Sequence, residues 1–371
     1  MSHAVLSPSS SSRWLNCPPS VRLCEEFEDE VSTYALEGTA AHSLCEYRLK
    51  KALGREVTNP IQDLSFYNEE MEECAEYYTT YVMEIIGKYK KPIVLIEERL
   101  DLSSYVKNSF GTADALVLGD KDLHIMDYKH GQGVVVSAFD NPQLKLYGLG
   151  ALHLFDDIYD IEKVHLHIVQ PRRENISEFE ITKEELYQWA EEELRPKAEL
   201  AFQGEGEFSC GDWCRFCKAK NKCRKRSEMA LEIAREEFKL PPLLSEEEME
   251  DALLILDGLE SWIKDIKEYA LKKALEGHKW KGYKLVEGRA NRRYINEEKI
   301  AKLVKKLGYE PYEQKLKGIT AMSKMLGKKE FEEKLGSFLE RPRGKPTLVP
   351  RSDKREEMET VKDEFGGKNY D

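Results

Sequence analysis

Four of the eight cysteines lie within fourteen consecutive residues, and this segment restricts the folds open to the chain more than any other feature. We expect reduced thiols in the cytoplasm, because the N-terminus lacks the basic start and apolar stretch of a secretory signal. Reduced thiols this close together are typical of a zinc ion or an iron–sulfur cluster, around which the neighbouring chain must fold. The four are Cys210, Cys214, Cys217 and Cys223.

The spacing alone favours a local site in which these four thiolates bind zinc, because contiguous ligands close only short loops. The other cysteines are scattered. Cys24, Cys45 and Cys74 lie in helix-like apolar patterns, so we predict that they are small buried side chains without a chemical role. Cys17 stands apart, near the N-terminus.

Apolar periodicity predicts an α/β core of about 200 residues, with helices before, between and after the strands. The hydrophobic fraction of 41% is enough for such a core, and no apolar run is long enough for a membrane span, so we expect no membrane association. A short polar connection at 119–122 predicts a hairpin between two strands. The predicted helices are 37–53, 66–89, one beginning near Asn141, and 182–203, and the predicted strands are 92–98, 111–118, 123–129 and 163–169.

The sequence divides into three parts. Residues 1–226 contain the predicted core and the clustered cysteines. Residues 227–340 have a proline pair at 241–242 and then periodic apolar residues, which predicts a mainly helical region whose role the sequence does not indicate. Residues 341–371 are charged and contain proline and glycine, which predicts a flexible tail.

Polar side chains interrupt the apolar strands at one place. Asp127 and Lys129 are two residues apart and share a strand face, and the preceding hairpin brings Asp114 near them. Burying two carboxylates and a lysine without a bound partner is costly. Mg²⁺ or Mn²⁺ has the right chemistry, with the lysine beside a water that attacks a phosphodiester. The alternative is a salt-bridged pair on an exposed hairpin face.

Flanking segments add further candidates. His42 lies on a predicted helix, and Gln143 and Tyr147 are one helical turn apart on another. Each of these also fits an ordinary helix face packed on a sheet. Glu97 and Glu98 are candidates for an additional acid, and the apolar alternation does not decide which of them faces the site.

Five motifs follow one another along the chain: Gly38 to His42, Glu97 or Glu98, Gly111 to Asp114, Asp127 to Lys129, and Gln143 to Tyr147. In this order the chain resembles the RecB-like branch of the PD-(D/E)XK nuclease superfamily, and is similar to its CRISPR-associated and AddB-type iron–sulfur exonucleases. Over its whole length it also resembles an uncharacterised phage- and prophage-associated family. The resemblance implies a restriction-endonuclease-like core, a mixed central sheet flanked by helices and stapled by a cysteine cluster.

The resemblance also implies roles for the motif residues. Lys129 would activate or orient the attacking water, and Gln143 and Tyr147 would hold the DNA backbone or the active-site helix. The implied ligands of the catalytic Mg²⁺ or Mn²⁺ are His42, Asp114, Asp127 and the main-chain carbonyl of Tyr128.

In the families that the chain resembles, a [4Fe–4S] cluster has one cysteine ligand near the N-terminus and three after the core, spaced Cys-x2-Cys-x5-Cys. Cys214, Cys217 and Cys223 have this spacing, and Cys17 matches the distant first ligand. The resemblance therefore implies that Cys17 belongs to the ligand set and that Cys210 does not. Structural Zn²⁺ held by the local thiols is the alternative.

The net charge of −12 counts against a polyanionic partner when it is taken over the whole chain. The basic residues are nevertheless concentrated in two segments, 215–226 and 279–294, and the second interleaves them with aromatic residues. This pattern suits a single-stranded DNA backbone and its bases, although 279–294 also fits a solvated strand edge. The predicted DNA-binding residues are Arg215, Lys218, Lys220, Lys222, Arg224, Lys225 and Arg226.

Together these features predict a metal-dependent deoxyribonuclease, a hydrolase acting on ester bonds. We expect an exonuclease that serves phage DNA replication, recombination or repair in the cytoplasm of a bacterial host. The expected partners are DNA, with single strands or ends favoured, and phage recombination or single-strand-binding proteins. The alternatives are a non-catalytic DNA-binding or recombination-partner module that keeps the nuclease fold, and a zinc-containing scaffold with no role on nucleic acid.

Overall fold

The computed structural model describes residues 4–28, 32–229, 246–286, 297–306, 311–312, 322 and 325–339. Its centre is a five-stranded sheet whose strands are β1 Ile93–Asp101, β2 Phe110–Gly119, β3 Asp122–Tyr128, β4 Lys163–Gln170 and β5 Asn175–Thr182. The spatial order follows the chain order. Only β3 and β4 run parallel, while the other neighbours are antiparallel. Gly119 pairs with Asp122, which closes the predicted hairpin.

Helices cover both faces of the sheet and provide the crossover that a parallel strand pair requires. This crossover is the helix Pro142–Phe155, whose start is fixed by the Asn141 side chain, which accepts hydrogen bonds from the main-chain N–H groups of Gln143 and Leu144. The helices are α1 Ser11–Asn16, α2 Ser20–Glu25, α3 Thr33–Ala52, α4 Glu69–Ile86, α5 Pro142–Phe155, α6 Lys183–Trp189, α7 Arg195–Gln203, α8 Glu246–Leu275, α9 Glu297–Lys306 and α10 Lys328–Leu335.

The sheet separates two apolar layers. On one face Leu116 and Ile125 pack with α5 residues such as Leu149. On the other face Val117 and Met126 pack with α3 and α4. Neighbouring strand residues point to opposite faces, so each strand contributes to both layers. The predicted α/β class, a mixed central sheet flanked by helices, is therefore confirmed.

β5 is not among the strands predicted from the sequence. Its inward side chains are Ser177, Phe179 and Ile181, and they alternate with the exposed Glu178 and Glu180. An edge strand buries one face and commonly carries charge on the other, so it has no continuous apolar run. Only a strict count of the two-residue period would have identified it.

Contacts divide the chain into two units, residues 1–273 and 274–371. The sheet, α1 to α7 and nearly all of α8 belong to the first unit. The predicted boundaries at 226 and 340 stay predictions, and the proline pair at 241–242 and the predicted tail 341–371 lie outside the described residues. Within the described ranges, no helix is long and apolar enough to cross a membrane.

Candidate functional site

The candidate site lies where the alternation of side chains between the two faces of the sheet shifts by one residue. Residues on one face of a strand are separated by even numbers. On β1, however, Leu95 and Leu100 both face the α5 layer, and on β2 so do Ala113 and Leu116. Between the two leucines of β1, Glu97 has a φ of 52°, a conformation that costs a non-glycine residue about 1–3 kcal/mol. The break turns an acidic residue of β1 toward the α3 side.

Glu97, His42 and Asp114 form one group, whose ligand atoms all lie within 4.8 Å of one another. His42 Nδ1 lies 3.1 Å from Asp114 Oδ1. Burial and the charge of Asp114 raise the pKa of Glu97 to about 7. Burial disfavours a charged His42, but the charge of Asp114 and the hydrogen bond to it outweigh burial and raise the pKa of His42 to about 9. The structure thus brings Glu97 to this group, and Glu98 is not part of it.

The second half of the site lies between β3 and α5. Lys129 Nζ is 2.8 Å from Asp127 Oδ2 and donates a hydrogen bond of 3.1 Å to Gln143 Oε1. Gln143 Nε2 donates to Asp127 Oδ1 and to Tyr147 Oη, at 3.1 Å in each case. Asp127 is buried, whereas 26% of the Lys129 side chain is exposed. The Lys129 side chain is therefore partly accessible from solvent.

Asp114 joins the two halves. Its Oδ2 accepts a hydrogen bond of 2.6 Å from the main-chain N–H of Tyr128, the residue after Asp127. Burial opposes the charge on Asp114, but the charge of His42 prevails and lowers the Asp114 pKa. Burial raises the pKa of Asp127, while the pKa of Lys129 is raised by Asp127 despite burial. With the glutamate of β1, whose pKa is about 7, three carboxyl groups lie beside two cationic side chains, and their oxygens are available as ligands once ionised.

The donor set suits a hard divalent cation. Carboxylate oxygens together with an imidazole nitrogen are ligands that Mg²⁺ and Mn²⁺ accept. Oδ2 of Asp127 is buried and has the Lys129 ammonium group 2.8 Å away. His42, Asp114 and Glu97 therefore fit the predicted metal, and a ligand role for Asp127 stays a prediction. The main-chain carbonyl of Tyr128 stays a prediction.

Gly111 leaves room for the Tyr147 ring. A Cβ atom on Gly111 would lie 2.7 Å from the Tyr147 ring and 2.7 Å from Pro8 Cγ, closer than packed atoms allow. The first residue of the Gly111 to Asp114 motif thus makes room for the phenol. Burial raises the pKa of Tyr147, so its hydroxyl stays protonated at neutral pH.

The predicted cluster cysteines line one small cavity. Cys17, at the end of α1, faces Cys214, Cys217 and Cys223 there, and Cys210 is not part of the lining. Burial raises the pKa of Cys17, as do the neighbouring Cys214 and Cys223 thiols. Four thiols converging on one cavity are a donor set for either a [4Fe–4S] cluster or zinc. These residues therefore fit the predicted cluster.

Cys24 is a neighbour of this cavity that the sequence did not indicate. It is buried as predicted, but its Sγ lies 3.7 Å from Sγ of Cys217. The hydrogen bond with Cys217 prevails over burial and, with the charge of Arg13, lowers the pKa of Cys24 to about 5. Arg13 Nη1 also donates to its sulfur at 3.5 Å. The helix-like pattern around Cys24 contains no sign of this partner, which is 193 residues away.

The structure revises the predicted DNA-binding set. Arg226 is only 7% exposed, and its guanidinium donates to Asp265 and Ser261 of α8. Lys220 also contacts Asp265, at 3.0 Å. A buried guanidinium held by a carboxylate cannot also reach a phosphate, so Arg226 has a structural ion pair in place of the predicted DNA contact. Of the second basic stretch, 287–294 lies outside the described residues. The exposed members of the set are Arg215, Lys218, Lys222, Arg224 and Lys225.

Fold and site together define a mixed α/β protein with an acidic, lysine-containing site and a thiol-lined cavity. The profile of a family of proteins of unknown function, DUF2800, matches residues 3–356, and the chain belongs to that family. Among solved structures, the crystal structure of SSO0001 is 16% identical, and the match covers 51% of this chain and 98% of that chain with a TM-score of 0.23. A TM-score this low does not establish a shared fold.

Proposed function

We propose that this protein is a metal-dependent deoxyribonuclease with a restriction-endonuclease-like core of the RecB-like kind. The observation that carries the proposal is the convergence of charged and polar side chains from five separate elements. Buried charges are costly, and such a set is typical of a functional site. The converging residues are His42 on α3, Glu97 on β1, Asp114 on β2, Asp127 and the adjoining Lys129 on β3, and Gln143 and Tyr147 on α5.

His42, Asp114, Asp127 and Glu97 would hold the metal. When bound, Mg²⁺ or Mn²⁺ would stabilise negative charge on the scissile phosphate and acidify a bound water. His42 must lose its proton to act as a ligand, and the negative charge of Asp114 opposes that loss.

Lys129 would orient the attacking water or a phosphate oxygen, since its ammonium group is paired with Asp127 and its side chain is partly exposed. Gln143 contacts both Lys129 and Asp127, so it would keep the lysine and the carboxylate at a set separation. The protonated Tyr147 hydroxyl accepts a hydrogen bond from Gln143 Nε2 and so helps to hold the Gln143 amide in place. Together they form a rigid frame in which the ammonium needs little rearrangement during the reaction.

We further propose that the thiol cavity holds a [4Fe–4S] cluster, which would link the N-terminal helices to the segment after the core. Anaerobic purification followed by absorbance spectra and metal analysis tests this. Cys17→Ser is expected to lose the cluster, and Cys210→Ser is expected to keep it. If the purified protein is colourless and contains stoichiometric zinc, and if Cys17→Ser keeps that zinc, the thiols hold a local zinc site and the cluster proposal is wrong.

The proposed substrate is DNA, with single strands or ends favoured. Its support is the set of exposed basic residues beside the thiol cavity, since such residues bind phosphates with an affinity that falls as the salt concentration rises. The proposed setting is phage DNA replication, recombination or repair in the host cytoplasm, with recombination or single-strand-binding proteins as partners.

Purified protein with Mg²⁺ or Mn²⁺ is expected to degrade linear DNA, and Asp114→Ala and Lys129→Ala are expected to abolish degradation. Comparing end-labelled linear DNA with circles tests the need for an end. Equal rates on circles would exclude an obligate exonuclease. Salt-sensitive DNA binding without cleavage by the wild type would instead support the non-catalytic DNA-binding module. A wild type that neither binds nor cleaves DNA would contradict both.

A further inference from the structure

An open depression lies at one end of the paired strands β1 and β2. Its volume is about 540 Å³, which is within the range of ligand-binding sites. Nothing in the proposed nuclease chemistry uses its side chains. The lining residues are Arg99, Asp101, Ser103, Asn108, Ser109 and Phe110.

Arg99 and Phe110 lie on the face of the sheet on which the candidate active site meets α3. On β1, Leu100 faces the α5 layer, so the preceding Arg99 faces the α3 side. On β2, Ala113 faces the α5 layer, and Phe110, an odd number of residues away, faces the α3 side. These two side chains and the candidate active site are therefore on one face.

The separation between Arg99 and the proposed metal ligands is short. Arg99 comes two residues after Glu97 on β1, and its register partner Thr112 comes two residues before Asp114 on β2. Two residues of an extended strand span about 7 Å. A nucleotide next to a phosphate held at the metal ligands is therefore within reach of Arg99.

Arg99 and Phe110 form a cation–π pair, which we call the β1–β2 platform. Arg99 Cζ lies over the Phe110 ring, 4.1 Å from its centroid. Phe110 is half-buried, whereas Arg99 is exposed, and within the part of the chain that the structure describes no carboxylate forms a salt bridge with Arg99. A second planar group can therefore reach the guanidinium from solvent. Nucleobases stack on arginine guanidinium groups and on aromatic rings.

Asp101 makes the depression better suited to a base than to a phosphate. Its exposed carboxylate lines the same depression as Arg99. Asp101 Oδ1 accepts a hydrogen bond of 2.9 Å from the main-chain N–H of Ser103, and this bond lowers the Asp101 pKa, so the carboxylate is ionised at neutral pH. A fixed negative charge repels a phosphate, whereas it accepts hydrogen bonds from the amino groups of bases.

The connection between β1 and β2, residues 102–109, holds the depression in a fixed shape. The main-chain N–H of Leu102 donates to the carbonyl of Ser109 at 3.0 Å, and the Ser109 hydroxyl donates to the carbonyl of Leu6 at 2.7 Å. Leu102 and Val106 are fully buried. A site that is already formed loses little conformational entropy when its ligand binds.

We propose that the β1–β2 platform binds an unpaired base, in the nucleotide next to the scissile phosphate. This inference rests on the proposed function and specifies its substrate. A base in a duplex is stacked between its neighbours and must leave that stack before it can stack on the guanidinium, so single-stranded DNA is the preferred substrate. The platform tolerates any base, because every base has a π face.

DNA binding by the full-length protein tests the proposal. Two single strands of equal length are compared by fluorescence anisotropy, one normal and one abasic, which keeps every phosphate but has no bases. Ca²⁺ replaces Mg²⁺ so that neither strand is cut. Arg99→Lys keeps the charge and removes the planar guanidinium, and Phe110→Leu removes the ring. Each is expected to weaken binding of the normal strand about tenfold and to leave binding of the abasic strand unchanged.

Arg195→Lys is the control, because Arg195 also lies over an aromatic ring, that of Tyr105, but does not line the depression. It is expected to bind both strands as the wild type does. Circular dichroism should show each variant folded, and Arg99→Lys replaces an exposed side chain, so its fold does not depend on the substitution.

The proposal is overturned if Arg99→Lys and Phe110→Leu bind the normal strand as tightly as the wild type does. It is also overturned if they weaken binding of both strands equally, because the contact would then be to phosphates, or if the wild type binds neither strand. Cleavage with Mn²⁺ is measured separately. A wild type that binds through the platform but cuts no DNA contradicts the nuclease and keeps the platform, whereas one that cuts DNA while both variants bind normally does the reverse.

Discussion

Replacing Lys129 with methionine removes one charge from the candidate active site while keeping the length of the side chain. At 2.8 Å and an effective dielectric constant of about 20, the attraction between Lys129 Nζ and Asp127 Oδ2 is about 6 kcal/mol. Desolvation of the ammonium group offsets several kcal/mol of this attraction. Because the variant leaves the buried Asp127 carboxylate without its cation, we expect the free energy of unfolding to fall by about 3 kcal/mol at neutral pH.

The loss of stability should depend on pH in a definite direction. Burial already raises the pKa of Asp127, and removal of Lys129 raises it further. In the variant the folded protein therefore binds a proton more tightly than the unfolded chain does, so stability recovers as the pH falls and Asp127 becomes neutral. The double variant Lys129→Met with Asp127→Asn should recover most of the lost stability at neutral pH. If the double variant is no more stable than Lys129→Met, the ion pair is not the cause.

Lys145 on α5 provides the control, because it is likewise a lysine paired with an aspartate, Asp140, although Lys145 itself is more deeply buried than Lys129. Asp140 is 64% exposed, so water solvates its charge and Lys145→Met should cost less. Urea unfolding followed by circular dichroism measures both variants. In a cleavage assay with end-labelled DNA and Mn²⁺, Lys129→Met should lose at least about 10²-fold in rate, and Lys145→Met should lose none. Folded Lys129→Met that cleaves at the wild-type rate would refute a chemical role for the lysine.

Three further predictions concern packing, protons and the α8 contact. In thermal unfolding, Gly111→Ala should lower the free energy of unfolding by about 1–3 kcal/mol. Gly38→Ala, which has open space around it on α3, should raise the free energy of unfolding by up to about 1 kcal/mol. Equal effects of the two substitutions would contradict the close packing at Gly111. The pKa of His42 is raised to about 9, so His42 must lose a proton to bind a metal. The Mn²⁺ affinity measured by calorimetry should therefore rise about tenfold per pH unit from about pH 7 to 9. An affinity that does not change with pH would exclude His42 as a ligand. Arg226→Met should cost about 3 kcal/mol in urea unfolding, and adding Asp265→Asn should recover part of it; no recovery would show that the pair is not coupled.

Local sequence patterns predicted most of the fold and the residues of the second half of the candidate site. The two-residue period placed Asp127 and Lys129 on one strand face, and the helical turn placed Gln143 beside Tyr147. The cap at Asn141 fixes where α5 begins. These features depend on neighbours in sequence, which is why the sequence alone could predict them.

The features that the sequence did not indicate depend on distant contacts. The choice of Glu97 over Glu98 follows from one left-handed residue that shifts the strand phase, and no propensity favours glutamate there. The Cys24 partner and the Arg226 ion pair each join parts of the chain that are far apart in sequence. Local periodicity contains no information about such pairs.

The thiol cavity also imposes an order on biosynthesis. Cys17 precedes Cys214 by about 200 residues, which ribosomes take about 10–40 s to add. During this interval Cys17 has none of the three thiols that face it in the finished cavity. The cavity can close only after translation has passed Cys223, when the sheet that lies between these residues in sequence has already been made. Insertion of the proposed metal or cluster would therefore be a late step, and a ribosome that stalls within α7 leaves a chain with one of the four thiols.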